Sequence, residues 1–240
     1  MYRGMAKPRN EMIEDVSPGK PTRQDRAADR RRSLIDAAIA VMAREGILGI
    51  TMSDIAQEAG CSYGVVSFHF KSKDNLLLSA LEFLVEEYDQ VLQKALAGAE
   101  PNPAARLLAM LDADFDPRIA NAKRVAVWTA FWAEAPRKAG YRERCAELKQ
   151  RYREVSETLV TELVVAQSMA GPGATLDGKS IALGLDAMID GFWISNQLLG
   201  SGNAAGREDA KRACRTYLQA LFPAAFAEAE APKKPRRKAG

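Results

Sequence analysis

This sequence predicts an all-α fold of about nine helices, and three observations carry the prediction. Apolar residues recur at helical spacing through most of the chain. Thr51, Ser62 and Ser72 stand where a helix N-cap belongs. No stretch sustains the alternation of a strand. With 240 residues, 47% hydrophobic and 27% charged, the chain can bury one large core or two small ones.

The elements run in order along the chain. Met1 to about Gln24 mixes Pro8, Pro18, Gly19 and Pro21 with charges and shows no periodicity, so residues 1–26 read as a disordered basic extension. Leu34, Ile35, Ala38, Val41 and Met42 form one apolar stripe on a first helix that ends near Gly46. Thr51 caps a short second helix, with Asp54 three residues on as the acidic end of a capping box. Gly60 breaks it, Ser62 caps a short third helix, and Ser72 caps a long fourth running to about Ala97. Beyond the AGAEPNP linker, helices are expected at about 103–114, 117–137, 141–169, 177–200 and 206–221. Residues 223–240, with their PKKPRRK run, read as a disordered basic tail.

Charge is distributed unevenly. Residues 1–32 carry +4 and residues 231–240 carry +5, so a net charge of +3 leaves the body at −6. Basic ends on an acidic body suit a polyanion partner, although solvated ends alone would look the same. The tail is expected to add a salt-dependent, nonspecific component to DNA binding.

The sharpest local signal is Thr51–Leu77. Two short helices flank a Gly60-Cys61-Ser62 turn, the spacing that sets a second helix into the DNA major groove. The first residues of that helix should meet base edges: Ser62, Tyr63 and Ser67 by hydrogen bonding or stacking, Gly64 by close backbone approach. Phe68 and His69 complete the helix. Thr51, Lys71, Lys73, Arg30, Arg31 and Arg32 are candidates for phosphate contact.

With Thr51, Ile55-Ala56, Ala59-Gly60, Phe68-His69-Phe70, Lys73 and Leu76, this run resembles the DNA-binding domain of the TetR family of bacterial repressors. Lys73 matches the family lysine that caps the module against the backbone, and Ser67 stands where most members carry a phosphate-contacting tyrosine. WTAFWAEA at 128–135, Asp114–Asp116, Tyr141-Arg142 and LDAMIDGFWI at 185–194 are similar to the choline-responsive subgroup, which shares that serine. The resemblance implies a helix-turn-helix domain over 27–75 and a helical effector-binding and dimerisation domain over 76–222. It also implies a homodimer through helices 177–200 and 206–221, a palindromic double-stranded DNA operator, and release by a small molecule. A two-fold dimer is also what half-sites about 34–36 Å apart require, though these helices could instead close a monomer core.

All three tryptophans lie in the second half, with Trp128 and Trp132 at i and i+4 on one face. Asp186, Asp190 and Trp193 form a second stripe that sets two carboxylates beside an indole. Phe115, Phe131 and Tyr141 are near in sequence. Such a set suits a quaternary ammonium, held by cation–π attraction and a nearby anion, or it simply fills the core.

Other classes are weaker. Residues 173–180 satisfy GxxxxGK[ST], but no strand precedes them and Asp177 would set a carboxylate in the phosphate nest. His69 is the single histidine, so no His-based metal site or catalytic triad can be built, and no cofactor is expected. Three scattered cysteines, no apolar run of about 18 residues and no signal stretch point to a soluble cytoplasmic protein without a membrane partner. A helical small-molecule-binding protein without DNA function stays open.

Overall fold

Local capping decides where each helix of the computed structural model begins; the structure describes residues 22–170, 177–200 and 202–229. Helix α1 spans Arg23–Glu45. It starts inside the segment expected to be disordered, because the Thr22 hydroxyl accepts from the Asp25 N–H while the Asp25 carboxylate accepts from the Thr22 N–H at 2.7 Å. Its predicted stripe is buried, and Gly46 ends it at a φ of 74°.

Helix α2 (Met52–Glu58) carries the expected capping box between Thr51 and Asp54, and α3 spans Tyr63–Phe70. Between them Gly60 takes a φ of 60°, the left-handed turn that glycine adopts without a Cβ clash. Helix α4 (Lys73–Gly98) buries Leu76, Leu77, Leu81 and Leu84 against this three-helix unit, then Tyr88, Val91 and Leu92 in the larger helical body beyond it.

The remainder is α5 (Pro103–Asp114), α6 (Ala122–Glu134), α7 (Ala139–Ala170), α8 (Gly178–Leu198), α9 (Ala204–Leu221) and α10 (Pro223–Ala229). Among the described residues there are ten helices and no strand. The tenth corrects the expected count of nine and the expected unfolded tail from residue 223. Pro223 opens a helix that seats Phe226, and Phe222 just before it, fully in the core against α5 and α9. Helix α6 is shorter than expected, since Asn121 caps it and residues 117–121 form a turn.

Helices α7 and α8 pack closely. A Cβ on Gly178 would lie 2.8 Å from Thr161 Oγ1 and 3.2 Å from Thr161 Cα, so only glycine fits. Helix α6 also packs on α1. At that junction the Phe83 ring of α4 lies between two guanidinium groups, Arg32 of α1 at 3.6 Å and Arg124 of α6 at 5.6 Å.

Lys73 ties the module together. Its ammonium donates to the Leu48 and Ile50 carbonyls at 3.3 and 2.8 Å, holding the α1–α2 loop to the start of α4. Lys73→Met keeps the stem and removes both bonds, which should cost about 2 kcal/mol and lower Tm by roughly 4–8 °C. An unmoved thermal melt would show the loop is held by its apolar contacts alone.

Candidate functional site

Two places concentrate functional side chains. The first is the outer face of α3. Val66 and Phe70 point into the core, so Gly64 and Phe68 occupy the opposite side, with half-buried Ser67 at its flank and Tyr63 exposed at the first turn. Tyr63 is 55% exposed and Phe68 82% exposed. Ser62 sits at the N-cap position yet makes no capping bond, which leaves its hydroxyl for another partner. Lys71 and Arg30 are exposed at the two edges of the module, and His69 lies half-buried with its ring edge-on to Phe68.

Four candidate phosphate contacts also have partners within the chain. Arg31 donates to Ser79 Oγ at 2.8 Å and covers the Phe70 ring; Arg32 pairs with Asp36 at 3.0 Å and covers Phe83. Thr51 spends its hydroxyl on Asp54, and Lys73 is bound to the two loop carbonyls. Sequence places these groups near the reading helix, but their aromatic and carbonyl partners come from elsewhere in the chain.

The second place is a buried cavity among α4, α5, α6, α7 and α8. Trp128 and Trp132 stand one turn apart with ring centroids at 6.3 Å, and Trp193 of α8 stacks on Trp132 at 6.1 Å and 13°. The Trp193 indole N–H donates to the Asp114 carbonyl at 3.1 Å. Asp114, at the end of α5, receives the Tyr88 hydroxyl on one carboxylate oxygen and the Tyr152 hydroxyl on the other, both at 2.6 Å. Cys145, Leu148 and Ile189 complete the apolar wall.

Charges in the cavity do not fall as the sequence suggests. Asp186 and Asp190 were the expected carboxylates, but both are compensated. The Lys149 ammonium lies 3.2 Å from Asp186, pairs closely with Asp190, and sits 5.3 Å from the Trp132 ring centre. Arg153 adds a bond to Asp186 at 2.9 Å. Asp114 forms no ion pair among the described residues; its partners are the two phenols. Burial pushes its carboxyl up to about 7, against the pull of the tyrosine hydrogen bonds and the Lys149 charge. Burial also pushes up the phenols of Tyr88 and Tyr152, which therefore stay protonated donors.

Five of the eight expected lining residues meet here: Trp128, Trp132, Asp186, Asp190 and Trp193. The other three correct the reading. Phe131 and Tyr141 pack edge-to-face at 5.0 Å outside the cavity, since Phe131 projects about 100° round the helix from Trp132. Phe115 lines a smaller neighbouring hollow behind Trp193. The unforeseen wall of α7 carried a legible signal, because Cys145, Leu148, Lys149 and Tyr152 fall at i, i+3, i+4 and i+7. Tyr88 had none.

Outside these two places, Leu183, Ala187, Gly191, Ile194 and Leu198 form one exposed face along α8, apolar throughout with small residues at its centre. Val165 and Met169 on α7 are exposed as well. The phosphate-loop match lies partly outside the described residues, at 173–176; its Asp177 carboxylate accepts from the Lys179 and Ser180 N–H groups, the positions a phosphate would need. Among the described residues no three His, Cys, Asp or Glu side chains converge on a metal-sized site, and no helix is long and apolar enough to cross a membrane.

Known proteins share both the sequence pattern and the fold. Residues 34–80 match bacterial regulatory proteins of the tetR family, and residues 103–223 match the C-terminal domain of BetI-type transcriptional repressors. The chain is 30% identical over 193 residues to an HTH-type transcriptional regulator BetI of Paraburkholderia xenovorans, covering 80% of this chain and 93% of that one. Its counterpart in Paraburkholderia phytofirmans is 31% identical with the same coverage. Among solved structures, a transcriptional regulator from Pseudomonas aeruginosa PAO1 superposes with a TM-score of 0.68 at 22% identity, covering 85% of this chain and 95% of its own. A regulator from Saccharomonospora viridis in complex with choline does so at 0.66 and 21% identity, covering 80% and 96%.

Proposed function

The chain belongs to the TetR family of bacterial transcriptional regulators, with a BetI-type repressor domain, and from that premise we propose a dimeric cytoplasmic repressor that leaves its operator when the cavity takes up choline or a close quaternary-ammonium analogue. The family is one of regulators rather than enzymes.

One observation carries the ligand reading: five aromatic side chains line one cavity with a buried carboxylate that forms no ion pair among the described residues. Each ring face attracts a desolvated cation by about 0.5–2 kcal/mol, and the anion at the floor adds to it. The cavity volume, about 40 Å³, has room for a water or two, so a trimethylammonium head would enter only with a movement of its walls. The choline complex of the Saccharomonospora viridis regulator supports the same choice. Lys149 favours a second reading, since an ammonium at the rim would also receive a ligand carboxylate, as in trimethylglycine.

The switch has a physical route. Helix α6 presents Trp128 and Trp132 to the ligand and packs on α1 of the DNA module, with Phe83 gripped at the junction. A ligand that prefers one placement of α6 biases the separation of the two reading helices. Coupling of about 1–3 kcal/mol would change operator affinity about 5–150-fold.

The test is a gel shift on DNA from upstream of the chain's own gene, with choline or trimethylglycine at millimolar concentration. Release by choline and its loss in Trp132→Ala is the expected result. Binding indifferent to both compounds would return the cavity to another ligand, and release by trimethylglycine alone would favour the second reading.

A further inference from the structure

The reading surface of α3 carries an unusual chemistry. From Ser62 to Phe70 there is no Arg, Lys, Asn, Gln, Asp or Glu, the side chains that pair with guanine, adenine or cytosine edges through hydrogen bonds. What α3 presents instead is Tyr63, Gly64, Ser67 and Phe68, with Val66 and Phe70 turned inward. The Phe68 ring meets His69 edge-on with centroids 5.4 Å apart, and the residue is 82% exposed.

Gly64 lies one turn before Phe68. A Cβ there would meet nothing nearer than Ser62 Oγ at 3.7 Å, so the packing of the chain gives no reason for glycine. Glycine is nonetheless among the poorest helix formers. Helical side chains lean toward the N-terminus, so the missing side chain leaves clearance beside the Phe68 ring. That clearance suits a body from outside, flat and close to the helix.

We infer that Phe68 reads the 5-methyl group of thymine, and that α3 selects its operator by apolar contact at that step rather than by paired hydrogen bonds. Thymine is the base whose major-groove edge offers an apolar group. Tyr63 and Ser67, on the adjoining row, supply hydroxyls for neighbouring edges. The inference rests on α3 being the DNA-reading helix, and its test separates the two.

The full-length protein is used to select duplexes from a random-sequence pool, and each thymine of the best duplex is then replaced by deoxyuridine, which removes only the methyl. One thymine per half-site should matter, losing about fourfold in affinity, or about fifteenfold with both half-sites changed. Phe68→Ala, an exposed position whose thermal melt should stay at the wild-type value, should bind more weakly and be indifferent to the same replacement. Phe68→Leu should recover part of the sensitivity. Gly64→Ala should bind less well while melting no lower than the parent chain. Indifference of the wild-type protein to every uracil, or sensitivity that persists in Phe68→Ala, would overturn the inference while leaving DNA reading intact. Failure to enrich any duplex would remove both.

Discussion

Asp114→Asn should abolish the response to choline and, at pH 8, make the ligand-free protein more stable. The carboxylate is buried and held by two phenols with no basic partner, so in the empty cavity its charge is a cost to folding. Its folded value of about 7 lies above the ordinary 3.8. The unfolded chain therefore releases this proton first, and folding loses stability as pH rises from about 4 to about 7, staying level above. The full loss is on the order of 4 kcal/mol. Asparagine carries no such charge, so the variant should melt higher than wild type at pH 8 and close to it at pH 4. A cation in the aromatic box would meet only a neutral amide, and affinity should fall at least about 100-fold by calorimetry. In the wild-type protein the same carboxyl should make choline affinity fall about tenfold per pH unit below 7, with the Tyr88 and Tyr152 phenols protonated throughout and Lys149, Asp186 and Asp190 facing the site. A variant that still releases DNA with choline, or that melts lower at pH 8, would show that Asp114 serves the fold and not the ligand.

Ile194→Glu combined with Leu198→Glu should give a monomer that has lost its operator. Both residues lie on the apolar face of α8 that runs from Leu183 through Ala187 and Gly191, and Leu198 is 80% exposed. Small residues at the centre let two such helices approach closely, and a second copy is the occupant a two-fold operator demands. Helix α9, expected to share this surface, turns Ala210, Cys214 and Leu218 inward, leaves Ala213, Tyr217 and Leu221 half-buried, and shows charged pairs such as Arg212–Asp209 outside. The proposed interface would then centre on this face of α8, with the exposed Val165 and Met169 of α7 as further candidates. Losing one of two tethered half-site contacts should lower DNA affinity by about 100-fold or more. Light scattering should report the mass of one chain. A variant that remains dimeric would move the interface off α8.

What could be read in advance and what could not divides by distance along the chain. Thr51 with Asp54, Asn102 with Ala105 and Ser72 with Asn75 act across three residues, so the starts of α2, α5 and α4 are written locally. The stripe from Leu34 to Met42 and the Gly60 turn are equally local. The same holds for the Trp128–Trp132 pair, one turn apart on one helix.

The composition of the cavity is not local. Tyr88 and Tyr152 reach Asp114 from 26 and 38 residues away, and Trp193 from 79. Lys149 crosses from α7 to neutralise Asp186 and Asp190 on α8. Phe226 turned the start of the expected tail into a helix because a place in the core near α5 and α9 was there to receive it. The sequence by itself determined nine of the ten helices, the helix-turn-helix and the presence of an aromatic, acidic region in the second half. Only the tertiary structure decided which carboxylate stays uncompensated, which arginines are held by aromatic rings, and which helix keeps a bare apolar face. Capping and periodicity act within a turn or two of helix, whereas charge compensation and burial depend on which distant side chains arrive.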